Sequence, residues 1–270
     1  MPTRKTPSAP SLERGLSVME LLANSRNGLP LADLARQLAL PKSSVHCLLL
    51  TLERRGYLHR NERTNRYLFG LRLFSLANMA LSGLEVRERA APFLHKLAEK
   101  TRLTAHLAIP EQNEAVLLDK VEPLGAIRLA TWLGKRMDVH CTALGKALIA
   151  HLPQEELDRL IRERGLPRHN DNSIVSPKKL KEELERVRKL GYSTDNEEDE
   201  VGMRCIGAPV FDDVGSVVAA VSISGTTSQV TDENSSALVE QVCNTAVAVS
   251  RVLGFNPNEA ARIAVSDCPA

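Results

Sequence analysis

Four stretches in the second half of the chain gather side chains that packing alone does not require. Residues 133–147 read Leu133-Gly134-Lys135-Arg136-Met137-Asp138-Val139-His140-Cys141-Thr142-Ala143-Leu144-Gly145-Lys146-Ala147, a turn feeding a helix that begins with small residues. Backbone N–H groups near Ala143, Leu144 and Gly145 suit an anion there. Residues 195–200 form a dense acidic run, which leads through Gly202 and Met203 to Cys205. Ser222 and Ser224 are alternate residues of one expected strand, so they share a face. A small pocket offering a helix start, two hydroxyls and a thiol suits a small carboxylate or hydroxy acid. Each piece also has a plainer reading: a solvated loop, an edge strand, a small buried thiol. His140 and Cys141 are adjacent in sequence, but neighbours point in different directions and a nucleophile needs a base beside it in space. No catalytic residue is assigned. A metal site from His140, Cys141, Cys205 and Asp195 lacks any characteristic ligand spacing. Neither a metal nor a cofactor is assigned.

The elements that must position these residues alternate helix and short strand. Val86, Ala90, Leu94 and Leu97 mark a helix, with Pro92 either kinking it or marking its true first turn. Thr104–Ile109, Glu114–Val121 and Ala126–Thr131 are rich in Val, Ile, Leu and Thr and read as strands, with turns at 111–113 and 123–125. Helices follow at Thr142–His151, Pro153–Arg164 and from Ser176 to Leu190, the last with a serine cap, proline at its first position and Gly191 as its stop. Met203–Phe211 and Ser216–Ser224 form a hairpin through residues 212–215, and a final helix runs from about Asp232 to Leu253. This is an α+β domain with an antiparallel sheet.

Ahead of it, Leu31–Leu58 reads as two short amphipathic helices joined by Ala39-Leu40-Pro41. Leu31, Leu34, Ala35 and Leu38 repeat at helical spacing, as do Val45, Leu48, Leu49 and Leu52. So short a link describes a helix-turn-helix. The outward face of the second helix carries Ser43, Ser44, His46, Cys47, Thr51 and Arg54, suited to a DNA groove. Tyr57–Arg60 and Arg66–Phe69 then form a hairpin, a wing whose Arg60, Arg63 and Arg66 are placed to meet phosphates. Ser11 is expected to cap a first helix, with Leu12, Leu16, Met19 and Leu22 or Ala23 buried. Leu71–Leu81 is apolar on nearly every side, as a helix buried on more than one side is, which suits packing against a partner chain and equally an ordinary interdomain helix.

Composition supports the division. Residues 1–72 hold twelve Lys and Arg against five Asp and Glu, a net of +7; residues 73–270 hold 23 against 28, a net of −5. A basic head on an acidic body confines a nucleic-acid surface to the N-terminal part. No stretch approaches the roughly 20 apolar residues of a membrane span, and no secretory signal is read at residues 1–10. Five cysteines at wide spacing, with no C-x-x-C, fit neither a disulfide framework nor a zinc finger and suit a reducing cytoplasm.

The sequence resembles the IclR family of bacterial transcriptional regulators. The resemblance rests on Ser11-Leu12-Glu13-Arg14-Gly15-Leu16, Leu40-Pro41-Lys42-Ser43-Ser44-Val45-His46, Gly56-Tyr57, Arg66-Tyr67-Leu68, His140 to Ala147, Glu197-Glu198, Gly202 with Cys205-Ile206, Pro209 to Asp212, and Ser222-Ile223-Ser224-Gly225. It implies a winged helix-turn-helix at 11–72, a linker helix at 73–84 and a GAF-like effector domain at 85–254, with flexible tails at 1–10 and 255–270. It implies a cytoplasmic regulator, not an enzyme, that binds a double-stranded DNA operator as a homodimer or homotetramer. A small carboxylate or aromatic effector would modulate that binding at Ala143, Leu144, Asp195, Met203, Cys205, Ser222 and Ser224. The expected DNA contacts are Lys42, Ser43, Ser44, His46, Cys47, Thr51, Arg54, Arg60, Arg63 and Arg66. Family members usually have arginine after the recognition-helix histidine; Cys47 stands here, which removes a bidentate guanine reader. A metal- or redox-responsive regulator, or an enzyme with a DNA-binding head, are the alternatives.

Overall fold

The computed structural model describes residues 9–82 and 85–256, and the side chains among these except those of residues 78–82. The expected tails fall almost wholly outside them, as does Gly83, expected to end the linker helix. The chain divides into two compact units, residues 1–83 and 84–270.

In the first unit, α1 (Pro10–Ala23), α2 (Leu31–Gln37) and α3 (Lys42–Arg54) close over a core of Val18, Leu22, Leu34, Ala35, Val45, Leu49, Leu58 and Tyr67. Strands β1 (Leu29–Pro30), β2 (Leu58–Asn61) and β3 (Arg66–Phe69) form an antiparallel sheet in the order β1-β3-β2. Strand β1 was not legible from so short a segment. It exists because β3 offers it a partner edge, with Leu29 opposite Tyr67. Helix α1 departs from expectation in its cap and its face. It begins at Pro10 behind Ala9, so Ser11 lies inside the first turn. Val18 and Leu22, four apart, take the core position, which turns Leu12 outward at 64% exposure and Leu16 at 49%. Helix α4 (Leu71–Ser82) is not buried on several sides within the chain: Leu71 is 83% exposed and Phe74 67%.

In the second unit, α5 (Glu85–Thr101) accommodates Pro92 in its interior. A six-stranded antiparallel sheet has the order β6-β5-β4-β9-β8-β7. Its strands are β4 (Thr104–Glu111), β5 (Glu114–Val121), β6 (Arg136–Met137), β7 (Ser193–Asn196), β8 (Met203–Phe211) and β9 (Val217–Thr226). Residues 206–210 of β8 and 219–225 of β9 are buried in succession, as central strands covered on both faces are. Helix α9 (Asp232–Val252) packs on α5 and β8. Helix α6 (Ala143–Ile149) lies against β7, β8 and β9, backed by α7 (Gln154–Arg164) and α8 (Pro177–Leu190) through Leu148, Leu157, Leu160, Leu180, Leu184 and Val187.

The segment expected as a strand at Ala126–Thr131 is irregular. Its carbonyls are not taken by a neighbouring strand: Lys120 Nζ donates to Leu129 O at 3.2 Å and Thr131 O at 3.1 Å, and Lys135 Nζ to Ala130 O at 3.0 Å. The place beside β5 goes instead to β6, with Met137 opposite Ala115.

Candidate functional site

Helix α3 turns Val45 and Leu49 into the core, and the same periodicity leaves Lys42, Ser43, His46, Cys47, Thr51 and Arg54 exposed, with Ser44 half-buried. Thr51 donates its hydroxyl to Cys47 O at 2.9 Å, so towards a groove it acts as an acceptor. The wing presents Arg60 and Arg63 at the surface. Arg60 Nη2 donates to Asn65 Oδ1 at 2.7 Å across the hairpin, and its guanidinium lies 6.0 Å from the centre of the Tyr67 ring. Arg66 is different: it is half-buried and donates Nη1 to Gly28 O at 2.8 Å. That bond ties the wing to the loop before β1.

In the second unit the seven expected positions converge. Ala143, Leu144, Asp195, Met203, Cys205, Ser222 and Ser224 all line one cavity of about 70 Å³, together with His106, Thr131, Lys135, Thr142, Asp199 and Glu200. The sheet register explains the convergence. Cys205 lies opposite Ser224 across β8–β9 and opposite Asp195 across β7–β8, while His106 lies opposite Ser222 across β4–β9. Thr142 starts α6 by accepting the Gly145 N–H at 3.1 Å, so that N–H serves the cap and not an anion.

His106 and Thr131 were missed in the sequence. His106 Nε2 is 3.1 Å from Thr131 Oγ1, and Nδ1 is 3.4 Å from Ser224 Oγ. Burial, reinforced by Lys120 and Lys135, holds the imidazole down at about 3, so it is a neutral hydrogen-bonding group. The available signal was alternation in β4, but only the register reveals that His106 faces the serines.

The acidic run divides by environment. Asp195 Oδ1 accepts the Glu198 N–H at 2.8 Å. Burial is the largest influence on Asp195 and raises its carboxyl to about 7, against the pull of that hydrogen bond and of Lys146. Lys146 is fully buried and pairs with Glu198 at 2.5 Å and Glu183 at 3.3 Å. Burial also raises Glu198, whose Oε2 lacks a partner among the described residues. Burial pushes the Cys205 thiol up, and Cys141 likewise with added repulsion from Asp199 and Asp138. Neither thiol has the lowered pKa of a nucleophile. The metal grouping suggested by sequence is not assembled as a unit: Cys205 and Asp195 line the cavity, whereas His140 and Cys141 gather with His169.

The IclR helix-turn-helix domain matches residues 11–62, and the C-terminal domain of bacterial transcriptional regulator IclR matches residues 78–251. The chain is 33% identical to the HTH-type transcriptional regulator XynR of Escherichia coli K12 over 92% of this chain and 99% of that one. It is 35% identical to the HTH-type transcriptional repressor AllR of the same strain over 92% and 91%. The crystal structure of the Thermotoga maritima IclR superimposes with a TM-score of 0.77 at 31% identity, covering 91% of this chain and 99% of that one. An IclR homologue of Microbacterium hydrocarbonoxydans, solved with 4-hydroxybenzoate, gives 0.79 at 25% identity, covering 90% and 98%. This chain belongs to the IclR family of bacterial transcriptional regulators and is a DNA-binding regulator of that type.

Proposed function

We propose that the protein is a cytoplasmic, ligand-responsive regulator that grips an operator as a dimer through α3 and the β2–β3 wing. A small hydroxy acid in the second unit adjusts that grip. The observation that carries the reading is the convergence of seven scattered positions on one cavity. Ser222, Ser224 and Asp195 suit ligand hydroxyls, and Lys135, the one lysine or arginine lining that cavity among the described residues, suits a carboxylate. An apolar cavity of about 150 Å³ accommodates benzene. At about 70 Å³ this space favours a compact aliphatic acid over an aromatic ring. The 4-hydroxybenzoate bound by the Microbacterium homologue makes aromatic acids the natural comparison.

The test is a thermal-shift screen of aliphatic hydroxy acids against aromatic acids, followed by operator binding with and without the hit. A ligand that binds only the folded state raises its melting point. Ser222→Ala combined with Ser224→Ala abolishes that shift and the operator response while leaving basal DNA affinity intact; an unchanged response removes the serines from the site. The DNA grip is tested by salt. Log K falls linearly with log salt concentration, and Arg60→Ala or Arg63→Ala each flattens the slope by about one unit. A slope indifferent to both substitutions takes the wing off the duplex.

A further inference from the structure

We propose that His140, Cys141 and His169 hold a divalent transition-metal ion of the zinc class beside the effector cavity. One ligand atom from each of these residues lies within 4.8 Å of the other two. Zinc takes nitrogen and thiolate ligands in this proportion, with four-coordination usual. Asp199 is the neighbouring carboxylate, its Oδ1 3.9 Å from Cys141 Sγ.

In both histidines one ring nitrogen is occupied by an outer acceptor, which leaves the other with its lone pair. His140 Nε2 is 2.9 Å from the carbonyl of Pro167, which only accepts, so Nε2 carries the proton and Nδ1 keeps its lone pair. His169 Nε2 is 2.9 Å from Asp138 Oδ2, and the carboxylate fixes the same assignment. A ligating histidine ordinarily donates its other N–H to a carboxylate or a backbone carbonyl, and this structure supplies one of each. The rings stack with centroids 6.1 Å apart.

The loop that brings His169 to Cys141 is fastened in place. Ser173 Oγ donates to Glu198 O at 2.7 Å and accepts from the N–H groups of His169 and Asn170, each at 3.1 Å. Asn170 Nδ2 also donates to Glu198 O, at 3.1 Å. Asp199, 3.9 Å from the Cys141 sulfur, and Asp138, bonded to His169, bring carboxylates to this group, which favours a cation. On binding, Cys141 forms a sulfur–metal bond, and the thiol proton it loses passes to solvent.

The experiment uses the full-length chain stripped with a chelator and titrated with Co²⁺, then with Zn²⁺ in competition. The expected result is one ion per chain, with a thiolate-to-cobalt charge-transfer band in the near ultraviolet. Cys141→Ser loses that band. His169 is exposed, so His169→Ala tests the site without emptying the core. Removing the outer partner of a ligating histidine costs about 10–100-fold in affinity. That is the loss expected for Asp138→Asn, and His169→Ala loses more. Absence of saturable binding overturns the proposal, and so does one-to-one binding that His169→Ala leaves unchanged. Neither outcome depends on whether an acid occupies the neighbouring cavity.

Discussion

Asp195 is almost fully buried where the cavity meets the acidic turn, and its carboxyl titrates near 7 because burial disfavours the charged form. An unfolded aspartate titrates near 3.9. Between these values the folded chain holds a proton that the unfolded chain has released. The stability linked to this group is therefore complete below about pH 4 and is lost as pH rises through about 7. Asp195→Asn keeps an acceptor for the Glu198 N–H and removes the titration. The variant should match the parent in urea midpoint near pH 4 and exceed it at pH 8, by stability on the order of 1–4 kcal/mol. Equal pH slopes for parent and variant would sink this account. At this scale part of the candidate site was legible, because an acidic turn, Cys205 and the paired serines stand out from the apolar sequence around them. His106 was not: one histidine in an apolar strand has the same appearance whether it fills core or faces a ligand.

Among the elements, α6 approaches the sheet more closely than any side chain would permit. A Cβ on Gly145 would lie 2.3 Å from Val139 Cα, and one on Gly207 would lie 2.9 Å from the Ala143 carbonyl. Gly207 thus sets the depth at which α6 meets β8, and Gly145 sets how closely the turn at Val139 folds against the start of α6. Gly145→Ala should destabilise the second unit by about 1–3 kcal/mol, the range for overpacking, and weaken effector binding through displaced backbone. Thermal melts with and without ligand measure both effects; an unchanged melting point would mean that the turn before α6 yields freely. Elements with strong local signals were readable in advance. Helix α8 has proline at its first position, Leu180, Leu184 and Val187 at helical spacing, and Gly191 with φ of 78° at its end. Its expected serine cap contributes no side-chain hydrogen bond. Elements defined by a partner were not readable. Strand β7, Ser193–Asn196, has no apolar alternation and exists because β8 offers it an edge. Ala126–Thr131 has strand composition, but lysines occupy its carbonyls.

At the scale of the molecule, the basic first unit leaves apolar surface that its own core does not use. Leu12 and Leu16 on α1, and Leu71 and Phe74 on α4, are all exposed. Water penalises such surface at roughly 25 cal/mol per Å², and exposed apolar groups gathered in one small unit point to an interface. A two-fold pair of winged helix-turn-helix units places two recognition helices on successive faces of a roughly palindromic operator. On the dimeric reading proposed above, a second copy of this chain serves both needs and covers the exposed Leu71 and Phe74 of α4. Leu71→Glu with Phe74→Glu places two carboxylates in that interface without touching Val45, Leu49 or the other core residues of the first unit. Sedimentation equilibrium at micromolar concentration should show the parent as a dimer or larger and the double variant shifted towards monomer. Operator affinity should fall with it, because a monomer engages one half-site. The salt slope should shrink together with the number of phosphates contacted. If the double variant keeps both the parent's mass and its operator affinity, α4 is not where the copies meet, and its apolar residues must be covered by some other surface of the assembly.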